Sequence, residues 1–358
     1  SKQASKQASK QASKQASKQA SKQASKQYYA IDVAKLIFAF DVVAIHIDPM
    51  FEFKGTSVYK LYQSFIYLAV PFFFIASGFL MVERLVMFEK KKDELYFLKT
   101  QIKKYMKLYL MWNIVYAPLA VWHYWHAKTV IREIVRSVLL GFFWIGENWN
   151  SWILWYLLSS IYSLTYIFVM RKMQRSYKEI FFGGMIIALC AVFLVDYRHE
   201  LIICSGILGL LLGKASNIGA RVVTGFFYLP LGMNLGIALA TKERTIPKAV
   251  SCVFLLGGLI IIILSSGYGL QYEVGRAVAS LSIVDILIDV KLKPSKAYTI
   301  CRGLSSALYY WHLWVYTILC FILYGMGNMH KGLEIYLGTV SIIIVCYCGI
   351  KIVLSSRF

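Results

Sequence analysis

The seven cysteines contain no C-x-x-C pair, so their spacing encodes neither a zinc site nor a disulfide framework. All of them (Cys190, Cys204, Cys252, Cys301, Cys320, Cys346 and Cys348) lie in or beside apolar stretches and read as small packing residues. Short segments of alternating polarity are absent, which excludes a transmembrane β-barrel. The first apolar run is long and carries no small-residue cleavage pattern, so no cleavable signal peptide is expected. No stretch suggests a separate soluble domain. Acidic residues are scarce, 18 Asp and Glu against 39 Lys and Arg, for a formal net charge of +21. In a soluble protein that balance would suggest nucleic acid. Here seven lysines fall in an N-terminal repeat and most others in short segments between apolar runs, the pattern of cytoplasmic loops facing an anionic leaflet. The expected partner is the lipid bilayer, with no nucleic acid.

What the chain has is apolar length. Hydrophobic residues make up 58% of it and aromatic residues 16%, and the mean hydropathy is +0.58. Windows of about twenty nearly uncharged residues recur, the length a helix needs to cross hydrocarbon. Backbone groups in lipid must be satisfied internally, so the expected fold is all-α, a polytopic transmembrane helix bundle. About ten spans are predicted, at 28–48, 61–82, 108–126, 151–170, 179–196, 222–240, 248–266, 273–290, 303–323 and 333–354. The segments 83–107, 171–178, 241–248 and 291–302 are basic and fall on one side, that of the basic N-terminus. The positive-inside rule then puts both termini on the cytoplasmic side of a cell membrane. Residues 1–27 are a strict SKQA repeat with no apolar face, a low-complexity tail expected to be disordered or artefactual, and 28–358 form the membrane domain. The apolar but short segment 201–213 is expected to be re-entrant or interfacial, and 127–149 an outer loop whose stretch "VIREIVRSVLLGFFWIG" is amphipathic.

Ionisable residues inside the first span carry the chemistry. Lys35 and His46 are eleven residues apart, about 1100° of helical turn, so they share a face with an axial separation of ~16 Å. Asp32 lies within roughly 60° of that face, and Asp41 points nearly the opposite way. A charged group in hydrocarbon costs from ~3 to over 10 kcal/mol, so such residues normally face a cavity and a partner. The plainer alternative is snorkelling of Lys35 and Asp32 to the inner interface, with His46 at the outer helix end. Later in the chain Ser305, Tyr309 and His312 also share one face, within about 60°, in an apolar span. A structural hydrogen-bonded triad and a catalytic one fit that pattern equally.

Five places resemble the acyltransferase-3 family of integral membrane acyltransferases. They are Asp32-x-x-Lys35 followed by His46; "VPFFFIASGFL" (70–80); "LWYL" (154–157), where Ile153 stands in place of a usual His; Arg221 ahead of "FFYLPLGMNLG" (226–236); and "LSSALYYWH" (304–312). Within the family the first two are most similar to the membrane domain of vancomycin-resistance serine racemases; the racemase domain that follows there is not in this sequence, as expected of either a stand-alone relative or an excised membrane domain.

The resemblance implies transfer of an acyl group, most simply acetyl, from acyl-CoA to a hydroxyl of a saccharide or other cell-envelope acceptor. It implies catalytic roles for His46, Lys35 and Asp32, with substrate contacts from Arg221, Ser77, Ser305, Tyr309, His312 and Trp155, and no metal. Such transfer needs a base for the alcohol proton and stabilisation of charge at the acyl carbonyl. A histidine titrating near neutrality suits the first, which selects His46. Lys35 opposes a CoA phosphate or an oxyanion, and Asp32 orients or neutralises Lys35. Plainer roles stand beside these: Ser77-Gly78 and Gly232-x-x-x-Gly236 as small-residue helix contacts, Trp152, Trp155 and Tyr156 as an interfacial belt, and Arg221 as a snorkelling cation. A transporter or binding domain for a small polar molecule such as serine is the alternative function, though no inverted repeat of broken helices is visible.

Overall fold

Hydrocarbon offers the backbone no partner but itself, and in the computed structural model all regular secondary structure among the described residues is helical. It describes residues 27–88, 90–148, 150–196, 207–244, 247–265, 267, 269–325 and 327–355, without the side chains of 194–196, 207–221 and 355. The repeat up to residue 26, Cys204 and the side chain of Arg221 lie outside that description. The helices are α1 (Tyr29–Ile47), α2 (Ser57–Ile66), α3 (Ala69–Leu85), α4 (Lys91–His126), α5 (Ile131–Leu140), α6 (Trp155–Lys172), α7 (Tyr177–Asp196), α8 (Ile207–Ala240), α9 (Lys248–Leu264), α10 (Gly269–Ile288), α11 (Ala297–Tyr324) and α12 (Leu333–Ser355).

Among the described residues, four segments are long and apolar enough to cross a membrane: Ser57–Leu85, Val222–Ala240, Ala297–Tyr324 and Leu333–Leu354. Large apolar side chains such as Trp125, Leu256, Leu264, Ile322 and Val345 point outward, as on a surface solvated by lipid. This is a membrane protein. α1 is 19 residues long and apolar apart from Tyr29, Asp32, Lys35, Asp41 and His46, of which Asp32, Lys35 and His46 share the face expected to meet a cavity.

Two large buried clusters form most of the interior among the described residues, with a small third around Leu68, Ile262 and Ala279. One joins α1, α4, α6, α11 and α12 around Trp112, Tyr116, Leu308 and Tyr316; the other joins α1, α3, α6, α8 and α10 around Ile31, Phe72, Phe74 and Phe79. Phe73, Tyr105 and Tyr156 pack against both. The basic ends meet. Tyr28 donates to Glu83 at 2.6 Å, Tyr29 stacks on Tyr298 at 4.6 Å, and Arg244 pairs with Asp285 at 2.7 Å and Asp289 at 2.8 Å. Arg171 clasps Glu94 through two nitrogens at 2.6 and 2.9 Å, and Tyr177 donates to the same carboxylate at 2.6 Å. Burial alone would push the Glu94 carboxyl up, but these bonds outweigh it and hold it below the ordinary glutamate value.

Local sequence explains the breaks. α1 stops at Asp48, which takes a left-handed φ of 53° and accepts the Tyr59 hydroxyl at 2.6 Å. Thr56 caps α2 by accepting the Tyr59 N–H. Pro71 does not kink a span. It sits in the first turn of α3, where its missing N–H costs nothing, and the chain breaks just before it at Tyr67–Leu68.

Residues 207–213, expected as part of a separate re-entrant piece, are instead the first turns of α8. At 34 residues, about 51 Å, that helix exceeds the ~30 Å of hydrocarbon and overshoots the interface. The amphipathic stretch after 130 does form a short helix, α5, followed by a π-turn over Gly141–Ile145, and Ile131, Val135 and Leu139 are exposed along it.

The crossing of α3 and α8 depends on glycine. A methyl group on Gly78 would overlap the Leu229 carbonyl, and one on Gly232 would overlap the Ile75 carbonyl, so the small-residue contact is real at both positions. Around Gly257 there is open space. Gly232→Leu should therefore abolish a monodisperse peak in detergent size-exclusion chromatography, whereas Gly257→Leu should leave it unchanged.

The Glu94 clasp gives a second expectation. Removing one partner of a largely buried charge pair leaves the other uncompensated, so Glu94→Ala should destabilise by about 2–3 kcal/mol. Because the folded carboxyl titrates below its unfolded value, the wild-type contribution is complete above the unfolded value and fades as pH falls through the folded one. Thermal unfolding of wild type and Glu94→Ala should therefore converge on acidification.

Candidate active site

Between the two clusters lies a cavity of about 1420 Å³, and Phe73, Tyr105 and Tyr156 belong to its wall. Lys35 and His46 both line it, as the shared face of α1 requires. At the Lys35 level it is also lined by Arg302 from α11, and α4 adds Lys104; at the His46 level it is lined by Trp152 and Glu147. The His46 ring lies 6.1 Å from the Trp152 ring with 25° between planes. Ser77, Trp155, Ser305 and Tyr309 also open on this space, and the Ser77 and Tyr156 hydroxyls approach to 3.4 Å.

Two of the expected residues sit elsewhere. Asp32 is 9% exposed, does not line the cavity, and faces Arg302 at 3.6 Å. From behind the lining it interacts electrostatically with both Arg302 and Lys35. His312, expected to contact substrate with Ser305 and Tyr309, is fully buried and absent from the lining. Its ring lies 5.2 Å from that of His46. One turn further along than Tyr309, it rotates past the cavity wall and into the α1–α11 contact.

The late motif reads as a clasp. Ser305 donates to the Lys35 carbonyl at 3.0 Å, and Tyr309 donates to the Ile153 carbonyl at 2.6 Å. His312 Nδ1 pairs with the Leu308 carbonyl at 2.8 Å, which makes Nδ1 the protonated nitrogen and Nε2 the acceptor. That Nε2 is buried without a hydrogen-bond partner. Ser305 and Tyr309 thus keep only their lone pairs for a ligand, and their first effect is to fix where Lys35 and the 153 segment stand.

Several lining residues were not anticipated: Lys104, Tyr105, Tyr310, Arg302, Glu273 and Arg276. Arg302 and Lys104 were masked by their place in basic segments, where position relative to the membrane already accounts for charge. Glu273 and Arg276 lie inside a predicted span, and the cost of charge in hydrocarbon was signal enough to find them.

The family described as "Acyltransferase domain" matches residues 28–349. An amino-acid racemase of Enterococcus faecalis is 25% identical over 211 residues, which cover 59% of this chain and 28% of that protein. The chain thus spans under a third of that relative's length. No solved structure matches.

If the clasp holds the site, Tyr309→Phe should lower the melting temperature in detergent by a few degrees, since one neutral buried hydrogen bond contributes about 1 kcal/mol. It should leave the chain monodisperse. An unchanged melting temperature would remove Tyr309 from the scaffold.

Proposed function

The chain belongs to this acyltransferase family and is a membrane acyltransferase, and from that premise we propose that it moves an acyl group, acetyl in the simplest case, from acyl-CoA to a hydroxyl of a saccharide or similar cell-envelope acceptor. The observation that carries the proposal is one cavity lined both by Lys35, Lys104 and Arg302 and by His46. A phosphate-bearing donor would thread from the cationic level towards His46, ~16 Å along α1. There His46 takes the acceptor's hydroxyl proton as its oxygen attacks the thioester carbonyl. The C–S bond breaks, and the proton passes to the departing thiolate, giving the ester and the free thiol. His312 stands behind His46, and Asp32 holds Arg302 at the donor end.

We place the chain in a bacterial cell membrane as a multi-pass protein of about ten spans with both termini cytoplasmic, so that donor and acceptor come from opposite sides. The four basic segments support this arrangement. Cysteines introduced at Lys172 and Lys293 should resist labelling from outside intact cells; labelling of either overturns it.

The likeness to an amino-acid racemase supports a second reading, in which the cavity binds or moves a small polar molecule such as serine. Kinetics separates the two. His46→Ala should lower acetyl transfer by about 10²-fold or more in purified protein. Lys35→Ala should chiefly raise the KM for acetyl-CoA, and Lys35→Arg should keep part of that affinity because both side chains carry the charge. Wild-type protein that binds no acyl-CoA yet binds serine in a His46-dependent way would replace the acyltransferase reading with the second.

A further inference from the structure

The scheme above leaves a half-buried charge pair of the cavity without a task. Glu273 and Arg276, one turn apart on α10, both line the cavity and bond to each other at 2.8 Å. Arg276 is anchored. Its Nε and Nη2 donate to the Tyr67 carbonyl at 3.2 and 3.1 Å, the carbonyl released where the chain breaks between α2 and α3. Its guanidinium lies 5.4 Å over the Tyr272 ring. Glu273 accepts the Tyr228 hydroxyl through its other oxygen at 3.3 Å. The Arg276 side chain is 13% exposed and that of Glu273 34%, so the carboxylate reaches into the open space while the guanidinium backs it.

We propose that Glu273, Arg276 and Tyr228, walled by Tyr67 and Tyr272, form the subsite for a neutral, hydroxyl-rich acceptor such as a sugar ring; the assignment rests on the acyl-transfer reading above. The pair's own bonding selects the ligand class. A guanidinium has five N–H donors, of which three are committed here; a carboxylate has about four lone-pair sites, of which two are committed. The remainder is a pair of donors beside a pair of acceptors with no net charge. Hydroxyl groups can both give and accept there without disturbing the ion pair, while the tyrosine faces cover apolar C–H surface. A zwitterion or an anion would instead have to compete with a formed charge pair for each pole. A purely structural pair would need only to cap the Tyr67 carbonyl and neutralise itself. That role does not require Glu273 to remain a third exposed towards a cavity.

The test uses the full chain in detergent, with methyl α-D-glucopyranoside and L-serine as probes followed by saturation-transfer NMR, and radiolabelled acetyl-CoA binding measured in parallel. Wild type should bind the glycoside, and L-serine should not displace it. Glu273→Gln, which keeps size and one acceptor oxygen, should weaken glycoside binding about tenfold or more, the loss expected for a hydrogen bond to a charged group. Acetyl-CoA affinity should stay within about twofold, because the donor groups of the proposal are Lys35, Lys104 and Arg302. Tyr228→Phe removes only one hydroxyl and should give the same direction with a smaller loss, which keeps the test decisive if Glu273→Gln does not fold. Equal glycoside binding by wild type and both variants overturns the subsite, as does displacement of the glycoside by serine. Glu273-dependent glycoside binding by a wild-type protein that binds no acetyl-CoA supports the subsite and overturns the acyl-transfer reading alone.

Discussion

The contact between α1 and α11 is the constraint on which the site depends. α1 carries Asp32, Lys35, Asp41 and His46 through a low-dielectric layer, and a helix of that composition has no reason to sit there unless a partner fixes its rotation. α11 supplies that partner at successive levels. Tyr298 stacks on Tyr29, Arg302 faces Asp32, Ser305 binds the Lys35 carbonyl, and His312 packs beside His46. The two helices run parallel, so each level of α1 meets a matching level of α11. Rotating α1 by one residue, 100°, would carry Lys35 and His46 off the cavity and break these contacts together. The charged face of α1 and the polar face of α11 are therefore one feature written twice.

Glycine sets the second boundary. Gly78 and Gly232 let α3 and α8 approach until the backbone of each touches the other. In lipid, where apolar burial gives little drive for association, close backbone packing supplies much of the attraction. The approach also fixes the remaining wall. α8 brings Tyr228 towards Glu273, and α10, packed on α3, brings Arg276 to the carbonyl freed ahead of Pro71. A break in one helix thus becomes a hydrogen-bond acceptor for a cation on another. This is how irregular backbone is tolerated at membrane depth: it is buried in protein beside a cavity.

Much of this was legible in the sequence, and where it failed the reason is physical. Helical character, the membrane environment and the shared face of Lys35 and His46 follow from apolar length and 100° periodicity alone. Periodicity also put Ser305, Tyr309 and His312 on one face, yet it cannot say how far a face is turned from a cavity. Ser305 and Tyr309 reach the lining, and His312, displaced by less than a turn, is buried behind His46. Sharing a face within 60° is compatible with both positions. Asp32 shows the same limit: it lies on the Lys35 side of α1, but its partner is Arg302, a residue 270 positions away whose charge had already been assigned to loop topology. For segment 201–213 the outcome concerns only residues 207–213, since 201–206 lie outside the described residues. Its apolar length was too short to count as a span, and composition does not register that a helix can continue well past the interface.

The distribution of fixed charge along the cavity bears on direction. Its lining carries Lys35, Lys104 and Arg302 as cations, Glu147 as an anion near His46, and the Glu273–Arg276 pair, which cancels itself. An anionic ligand is attracted only where cations exceed anions, since field in a low-dielectric cleft is focused rather than screened. The cationic level and the neutral level thus discriminate between ligands before any specific contact forms: a polyphosphate is drawn to one, and a neutral hydroxylated molecule loses nothing at the other. His46 lies on the lining further along α1 than Lys35, and the shared face that puts both on one cavity is what allows two chemically unlike ligands to meet there. On this view the cost of charged side chains in hydrocarbon is offset by what they sort.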